Sequence, residues 1–486
     1  MDIVDIKKTA FSGVIWQLVN RIGTNGIQFL TYLILARLLQ PQDFGIIAIV
    51  GVFINFSNLL VNSGLGTALV QSKKVDENDY SSILYVSIII ASIFYTIIFF
   101  AAPYIAEYYH QEEIVGVLRI YSISIIFFAI NGVQTSNLLR KLEFKKIAII
   151  SSIPVVISGI ISVLMAFAGF GVYALVANSI SSGFISIVLF SIILKWIPKR
   201  VFSISRIKDL FSFSYKVLLG NLIEEAYKSI YPLIIGKVFS TKSLGFYNFG
   251  RQVPSLLTAT INASVSSVAF PLYSRNQDDG YRLKTMVRQS MTLGNFLVFP
   301  LMAGIAAISE QLVPLIFTEK WIPGVPYLQL FCIIYGLSHL DTYNFHAISA
   351  IGKSGVFFKY KVIKKTIGVV LLLITLPYGI EVIMYGQVFF AILSIIINLK
   401  PNFVWLGYNI KEQLNDIWPY LLASLIMFAG IRLCRLIEIN IFLKLIIEVI
   451  AGVSIYILMS LILKLNGFKT LIDTMKMYLI VSPTKS

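Results

Sequence analysis

Eight ionisable side chains stand in stretches that are otherwise apolar: Arg21, Arg119, Lys216, Glu224, Glu225, Lys228, Arg251 and Asp341. A lone Arg or Lys at the centre of a bilayer costs about 2.5–3.5 kcal/mol on insertion scales, so each must face water or a partner. Five of the eight are basic and three acidic. A surplus of positive charge at low dielectric favours an anion such as a diphosphate and disfavours a cation. Arginine adds a planar fork matched to phosphate oxygens. Arg21, flanked by Asn20, lies deep in its run and is the first candidate for that task. Arg251, Lys228, Arg119 and Lys216 are further candidates, although Arg119, Lys216 and Arg251 lie near enough to span ends to snorkel instead. Glu224, Glu225 and Asp341 are titratable groups that could couple movement of an anion to H+ or Na+. Glu224 and Lys228 are four residues apart, which equally suits a helix ion pair. Asp341, near His339, reads as a proton carrier or as the partner of a basic residue in the seventh helix. Asn20, Asn25, Gln28, Asn58 and Asn62 form a polar stripe that suits sugar hydroxyls in a wet cavity and suits interhelical hydrogen bonds equally.

No enzyme chemistry is legible. His110, His339, His346, Cys332 and Cys434 do not have metal-ligand spacing, no phosphate-binding loop is present, and no nucleophile has a base nearby. The expectation is a protein with no metal and no cofactor beyond a coupling ion.

The elements that carry these residues follow from composition. The 486 residues are 57% hydrophobic and only 13% charged, against about 25% charged in soluble domains. The mean hydropathy is +0.82. About 20 apolar residues cross a hydrocarbon core, and fourteen segments qualify: 10–38, 44–69, 80–102, 112–137, 146–168, 172–196, 208–237, 244–270, 284–309, 325–350, 357–377, 380–399, 417–436 and 441–463. The net charge of +16 is then no sign of nucleic acid. The loops on the amino-terminal side hold most of the Lys and Arg, among them Lys73-Lys74, the Arg140 to Lys146 cluster, Lys195 to Lys208 and Lys353 to Lys365. That asymmetry places both termini in the cytoplasm of a multi-pass membrane protein. The outside connection Glu310 to Gly324, with Trp321, reads as an interfacial segment. Lys195 to Lys208 reads as a linker between halves.

A repeat supports two halves. With position n set against n + 200, Lys8, Phe11, Ser12, Leu18, Leu33, Ile34, Gly45 and Asn62 match Lys208, Phe211, Ser212, Leu218, Leu233, Ile234, Gly245 and Asn262, and Arg37 falls on Lys237. Both copies begin a six-helix set, so they run the same way across the membrane, with a cavity expected between lobes. The division is 1–200 for helices 1–6, 201–400 for helices 7–12, and 401–486 for two appended helices and a tail.

The stretches LARLLQPQDFG at 35–45, NSGLGTALVQSKKVDENDY at 62–80, NLLRKLEFKKIA at 137–148, GFGVYALV at 169–176 and EKWIPGVPYLQLF at 319–331 resemble the multidrug/oligosaccharidyl-lipid/polysaccharide flippase superfamily. Within it the chain is similar to Wzx-type bacterial polysaccharide transporters, colanic-acid exporter branch. The resemblance covers almost the whole chain. It implies an all-α fold of two six-helix lobes plus two helices. It implies flipping of an undecaprenyl-diphosphate-linked oligosaccharide, an O-antigen or exopolysaccharide repeat unit, across the bacterial inner membrane by alternating access. Arg21 and Arg251 occupy the general positions of basic residues that hold lipid diphosphates in such proteins. Polymerase and chain-length machinery are implied neighbours, and a monomer is the expected state. Two other functions compete: a multidrug or organic-cation antiporter of the same superfamily, which wants a net acidic cavity, and a membrane polysaccharide polymerase or ligase, which wants a larger outside loop. A scaffold without transport would not need charges at the midplane.

Overall fold

The computed structural model describes residues 20, 23–62, 66, 69–70, 72, 75–434 and 439–468, without the side chains of 209–210, 212–214, 216–217, 268, 354 and 357. Every regular element among them is a helix. In chain order these are α1 (23–38), α2 (Pro41–Asn62), α3 (Glu77–Tyr109), α4 (Glu113–Tyr121), α5 (Ile123–Arg140), α6 (Phe144–Phe167), α7 (Val172–Leu194) and α8 (Ile204–Val238). They continue as α9 (Thr241–Arg275), α10 (Gly280–Ile316), α11 (Val325–Ala350), α12 (Ser354–Thr375), α13 (Ile380–Leu406), α14 (Ile410–Leu433) and α15 (Ile441–Ile462). Eleven helices among the described residues are long and apolar enough to cross a membrane. Fourteen spans were expected. Two of the others, α8 with 35 residues and α12 with 22, have the length but carry the charges that matter most below. α1 is described from residue 23.

Local signals set the helix ends. Asp76 caps α3 and Asp79 reaches back to the Asp76 amide, a capping box. The same device, Asn409 with Glu412, starts α14. Pro41 opens α2, and Asp43 accepts from the Gln40 amide at 2.8 Å. α3 stops at His110, which takes a left-handed conformation with φ 54°.

The chain divides into two compact units, Met1–Gly245 and Phe246–Ser486. α8, which the sequence reading counts as the first helix of the second lobe, lies in the first unit, packed on α2 and α3. There α6 pairs with α7, and α5 packs on α2, α3 and α7. In the second unit α10 packs on α11 and α14, α13 lies against α11 and α12, and α15 covers α14.

The linker is not slack. Lys199 and Ser203 donate their backbone amides to Ser81 and Ser82 at 2.9 and 3.2 Å. Arg206 grips Asp79 through two hydrogen bonds of 2.9 and 2.7 Å. Lys199 pairs with Glu77 at 2.7 Å, and that bond holds the Lys199 ammonium above its usual range. Trp321 also departs from expectation. It is fully buried, stacked on Phe249 at 4.5 Å and edge-on to Phe246. Trp321 therefore serves the core of the second unit rather than the interface, while the neighbouring Ile322 stays exposed.

The n + 200 register appears as a contact inside the first unit. A Cβ on Gly45 would lie 1.8 Å from the Thr241 carbonyl oxygen, and a Cβ on Gly245 would lie 1.9 Å from that of Pro41. Pro41 and Thr241 are themselves 200 apart, so the starts of α2 and α9 cross reciprocally, backbone on backbone. Gly45→Ala is therefore expected to cost about 1–3 kcal/mol by overpacking, read as a lower Tm in thermal unfolding of the purified protein. Gly23→Ala, whose Cβ would meet nothing within 4 Å, should leave the Tm nearly unchanged.

Candidate functional site

Arg21 lies outside the described residues, as does the side chain of Lys216. The remaining candidates separate into groups. Asn20 is tied to α6: its Nδ2 donates to Ser151 at 3.2 Å and its Oδ1 accepts from Ser152 at 2.9 Å. Asn25 is half-buried and Gln28 exposed on α1. Asn58 is half-buried, with an Oδ1 that accepts no hydrogen bond among the described residues. Arg119 is held by α3, its Nε donating to the Phe99 carbonyl at 3.2 Å and its guanidinium 4.3 Å from the centre of the Phe99 ring.

On α8, Lys228 and Glu224 approach to 3.9 Å, with the lysine side chain 59% exposed. That is the helix pair allowed by their spacing, but at a length beyond hydrogen bonding, so the ammonium can still reach an anion. Glu225 is half-buried. Arg251 on α9 is also half-buried and forms no ion pair among the described residues.

Asp341 is the best-defined acidic group. Lys364 of α12 donates to its Oδ2 at 3.1 Å, Ser394 of α13 donates to the same oxygen at 2.9 Å, and Asn398 donates to Oδ1. Lys364 also donates to Asn398 Oδ1 at 3.2 Å. The lysine is only 6% exposed, so three helices meet on one satisfied ion pair. The partner is thus on α12, where the sequence left open a proton carrier or a pair with the seventh helix. Lys364 was hidden in the run Lys353 to Lys365, which reads as a basic loop but enters α12 at Ser354.

His339 is a packing residue. It is fully buried, with Nε2 2.7 Å from Asn295 Oδ1. Asn295 Nδ2 donates to the Asp416 carbonyl at 2.8 Å, so its Oδ1 is the acceptor and the histidine donates. Arg288 binds Asp416 through bonds of 2.6 and 2.9 Å, and Lys284 binds Glu412. These tie α10 to α14. A buried carboxylate the sequence reading passed over, Glu448 of α15, accepts from Gln311 at 3.0 Å.

A cavity of about 600 Å³ opens in the first unit between α2, α5, α6 and α7. Its polar wall is Asn62, Asn131, Thr135, Ser136, Ser151, Ser182 and Ser186, with Phe128 and Phe190 among the apolar residues. Of the polar stripe, Asn62 lines it directly and Asn20 is bonded to its wall through Ser151. The α5 and α7 contributors went unnoticed, although Asn131 and Thr135, and Ser182 and Ser186, are four apart and so share a face.

The family model described as polysaccharide biosynthesis protein matches residues 34–326. The succinoglycan biosynthesis transport protein ExoT of Rhizobium meliloti (strain 1021) is 25% identical over 358 residues, 74% of this chain and 72% of the relative. The lipopolysaccharide biosynthesis protein WzxC of Escherichia coli (strain K12) is 21% identical over 430 residues, 86% of each chain. The lipid II flippase MurJ in an inward closed conformation has a similar fold, with TM-score 0.76 and 17% identity over 93% of this chain and 98% of that one.

The Asp341 network gives a measurable expectation. Asp341→Leu removes the carboxylate that faces the buried Lys364 ammonium and should cost about 3 kcal/mol. Asp341→Leu combined with Lys364→Met should recover most of that loss. Additive losses in a double-mutant cycle of unfolding would show that the two residues do not interact.

Proposed function

The chain belongs to the polysaccharide biosynthesis protein family, and from that membership we propose that it moves a lipid-linked oligosaccharide across the membrane. It is a carrier, not an enzyme, working by alternating access. The family match over 34–326 is the observation that carries this reading. The substrate is an oligosaccharide on undecaprenyl diphosphate, flipped outward across the bacterial inner membrane with both termini cytoplasmic. The basic loops support that orientation. The protein acts as a monomer, alongside the polymerase and chain-length machinery that use its product.

The diphosphate is assigned to Arg21, Arg251 and Lys228. Arg251 supports the assignment because it keeps a guanidinium at membrane depth without a carboxylate among the described residues. Arg119 is the weaker candidate, since a carbonyl and a ring already engage it. Outward movement of negative charge gains about 2.3 kcal/mol per charge per 100 mV of membrane potential. Glu224 and Glu225 remain the groups proposed for any H+ or Na+ coupling. Asp341 is less suited, because a lysine already neutralises it. That neutralisation also argues against the organic-cation exporter, which would need acidic groups left over.

Arg21→Ala is expected to lower surface polysaccharide roughly tenfold or more at matched protein level, the loss of one charge-assisted contact. Arg21→Lys should keep part of the export. Unchanged export in the alanine variant would remove Arg21 from the site. Loss of drug resistance with normal export on deletion would favour the antiporter.

A further inference from the structure

We propose that the cavity between α2, α5, α6 and α7 is a subsite for neutral sugar, separate in chemistry from the groups that hold the diphosphate. The inference rests on the lipid-linked oligosaccharide reading and adds which part of the substrate this cavity takes.

The hydrogen-bonding character of the wall carries it. Thr135 donates its hydroxyl to the Asn131 carbonyl at 2.8 Å, Ser136 to Gly132 at 2.9 Å and Ser186 to Ser182 at 2.8 Å. Ser151 donates to Ile147 in the same way. Each hydroxyl has spent its single proton on its own helix, one turn back. Thr135, Ser136 and Ser186 turn outward an oxygen lone pair, whereas Ser151 already accepts from Asn20 at 3.2 Å. Asn131 behaves alike. Its Nδ2 donates to the Gly183 carbonyl at 3.0 Å, which fixes the amide, and its Oδ1 is buried with no donor among the described residues. The wall is thus rich in acceptors, and none of the described residues that line it is charged.

A phosphate or a sugar carboxylate brings only acceptors, and among the described lining residues it meets free donors only at Asn62 and Ser182. A neutral pyranose brings hydroxyl donors to every lone pair, and its C–H faces can lie on Phe128 and Phe190. Asn62 supplies the donor side: neither its amide nor the Ser182 hydroxyl makes a side-chain hydrogen bond among the described residues. Gly132 makes room for it, since a Cβ there would lie 2.2 Å from Asn62 Oδ1. The volume falls within the roughly 300–1,000 Å³ of small-molecule sites, and the mix of apolar wall and few polar groups is the usual one. Under the topology proposed above, the α5–α6 turn at Arg140–Phe144 is cytoplasmic, so the subsite opens in the half of the membrane where the substrate is loaded.

The test is native mass spectrometry of the full chain with three lipids: undecaprenyl diphosphate, the same lipid carrying a neutral disaccharide, and the same lipid carrying glucuronate. The neutral glycolipid should bind about tenfold tighter than the bare lipid, the gain of one or two net hydrogen bonds. The glucuronate lipid should show no such gain. Asn131→Leu should abolish the sugar increment and leave bare-lipid binding unchanged. Because Asn131 also joins α5 to α7, a second variant removes hydroxyls at constant shape: Thr135→Val with Ser182→Ala and Ser186→Ala, with the same result expected. A sugar increment that persists in both variants, or one equally large for glucuronate, overturns the subsite. Bare lipid that binds while sugar adds nothing overturns it too, and leaves the proposed function standing. If no polyprenyl lipid binds the wild-type protein, the proposed function falls and the subsite with it.

Discussion

Polar groups carried into hydrocarbon must be answered from within the protein, and that demand organises this chain. Where the answer is complete, it makes structure. Asp341 has Lys364, Ser394 and Asn398. Asp416 has Arg288 and the Tyr408 hydroxyl. Each of these draws together helices distant in sequence, and desolvation makes any one partner expensive to lose.

Where the answer is incomplete, the chain keeps capacity for a ligand. The cations of that kind and the cavity of the first unit offer opposite chemistry: guanidinium and ammonium donors at Arg251 and Lys228, lone-pair acceptors around Asn131. A lipid-linked oligosaccharide also has two chemistries, an anionic diphosphate and a hydroxyl-rich glycan. One carrier must hold both without letting either bind in the place meant for the other. Separating donors from acceptors achieves that by the identity of the side chains, with no need for a tight steric fit. On the proposed assignment the glycan would be held by weak, exchangeable bonds, which suits release on the far side.

Much of the fold was legible because hydropathy reports on the length of apolar helix a bilayer needs, which is a one-dimensional fact. Gly45 and Gly245, matched at n + 200 in the sequence, each sit where a backbone crossing leaves no room for a Cβ. The site was less legible. Lys364 looked like loop because a basic cluster continues into α12 without a change in composition, and only packing against Asp341 marks it as the buried member of that cluster. The cavity escaped notice because serine and threonine are common in membrane helices, and whether their lone pairs face a neighbour or a cavity depends on packing. Glu224 and Lys228 have the spacing of a pair, but their rotamers stretch it to 3.9 Å.

The fastening of residues 199–206 along the start of α3 has a consequence for how the gene could be divided. Those bonds to Ser81, Ser82, Asp79 and Glu77 hold the segment whether or not the peptide is continuous, and α8 beyond it packs on α2 and α3. A break placed just before Lys199 would leave its two ends docked on the same helix. The protein is therefore built so that two separately translated polypeptides, meeting at that seam, could reconstitute the first unit without a covalent join.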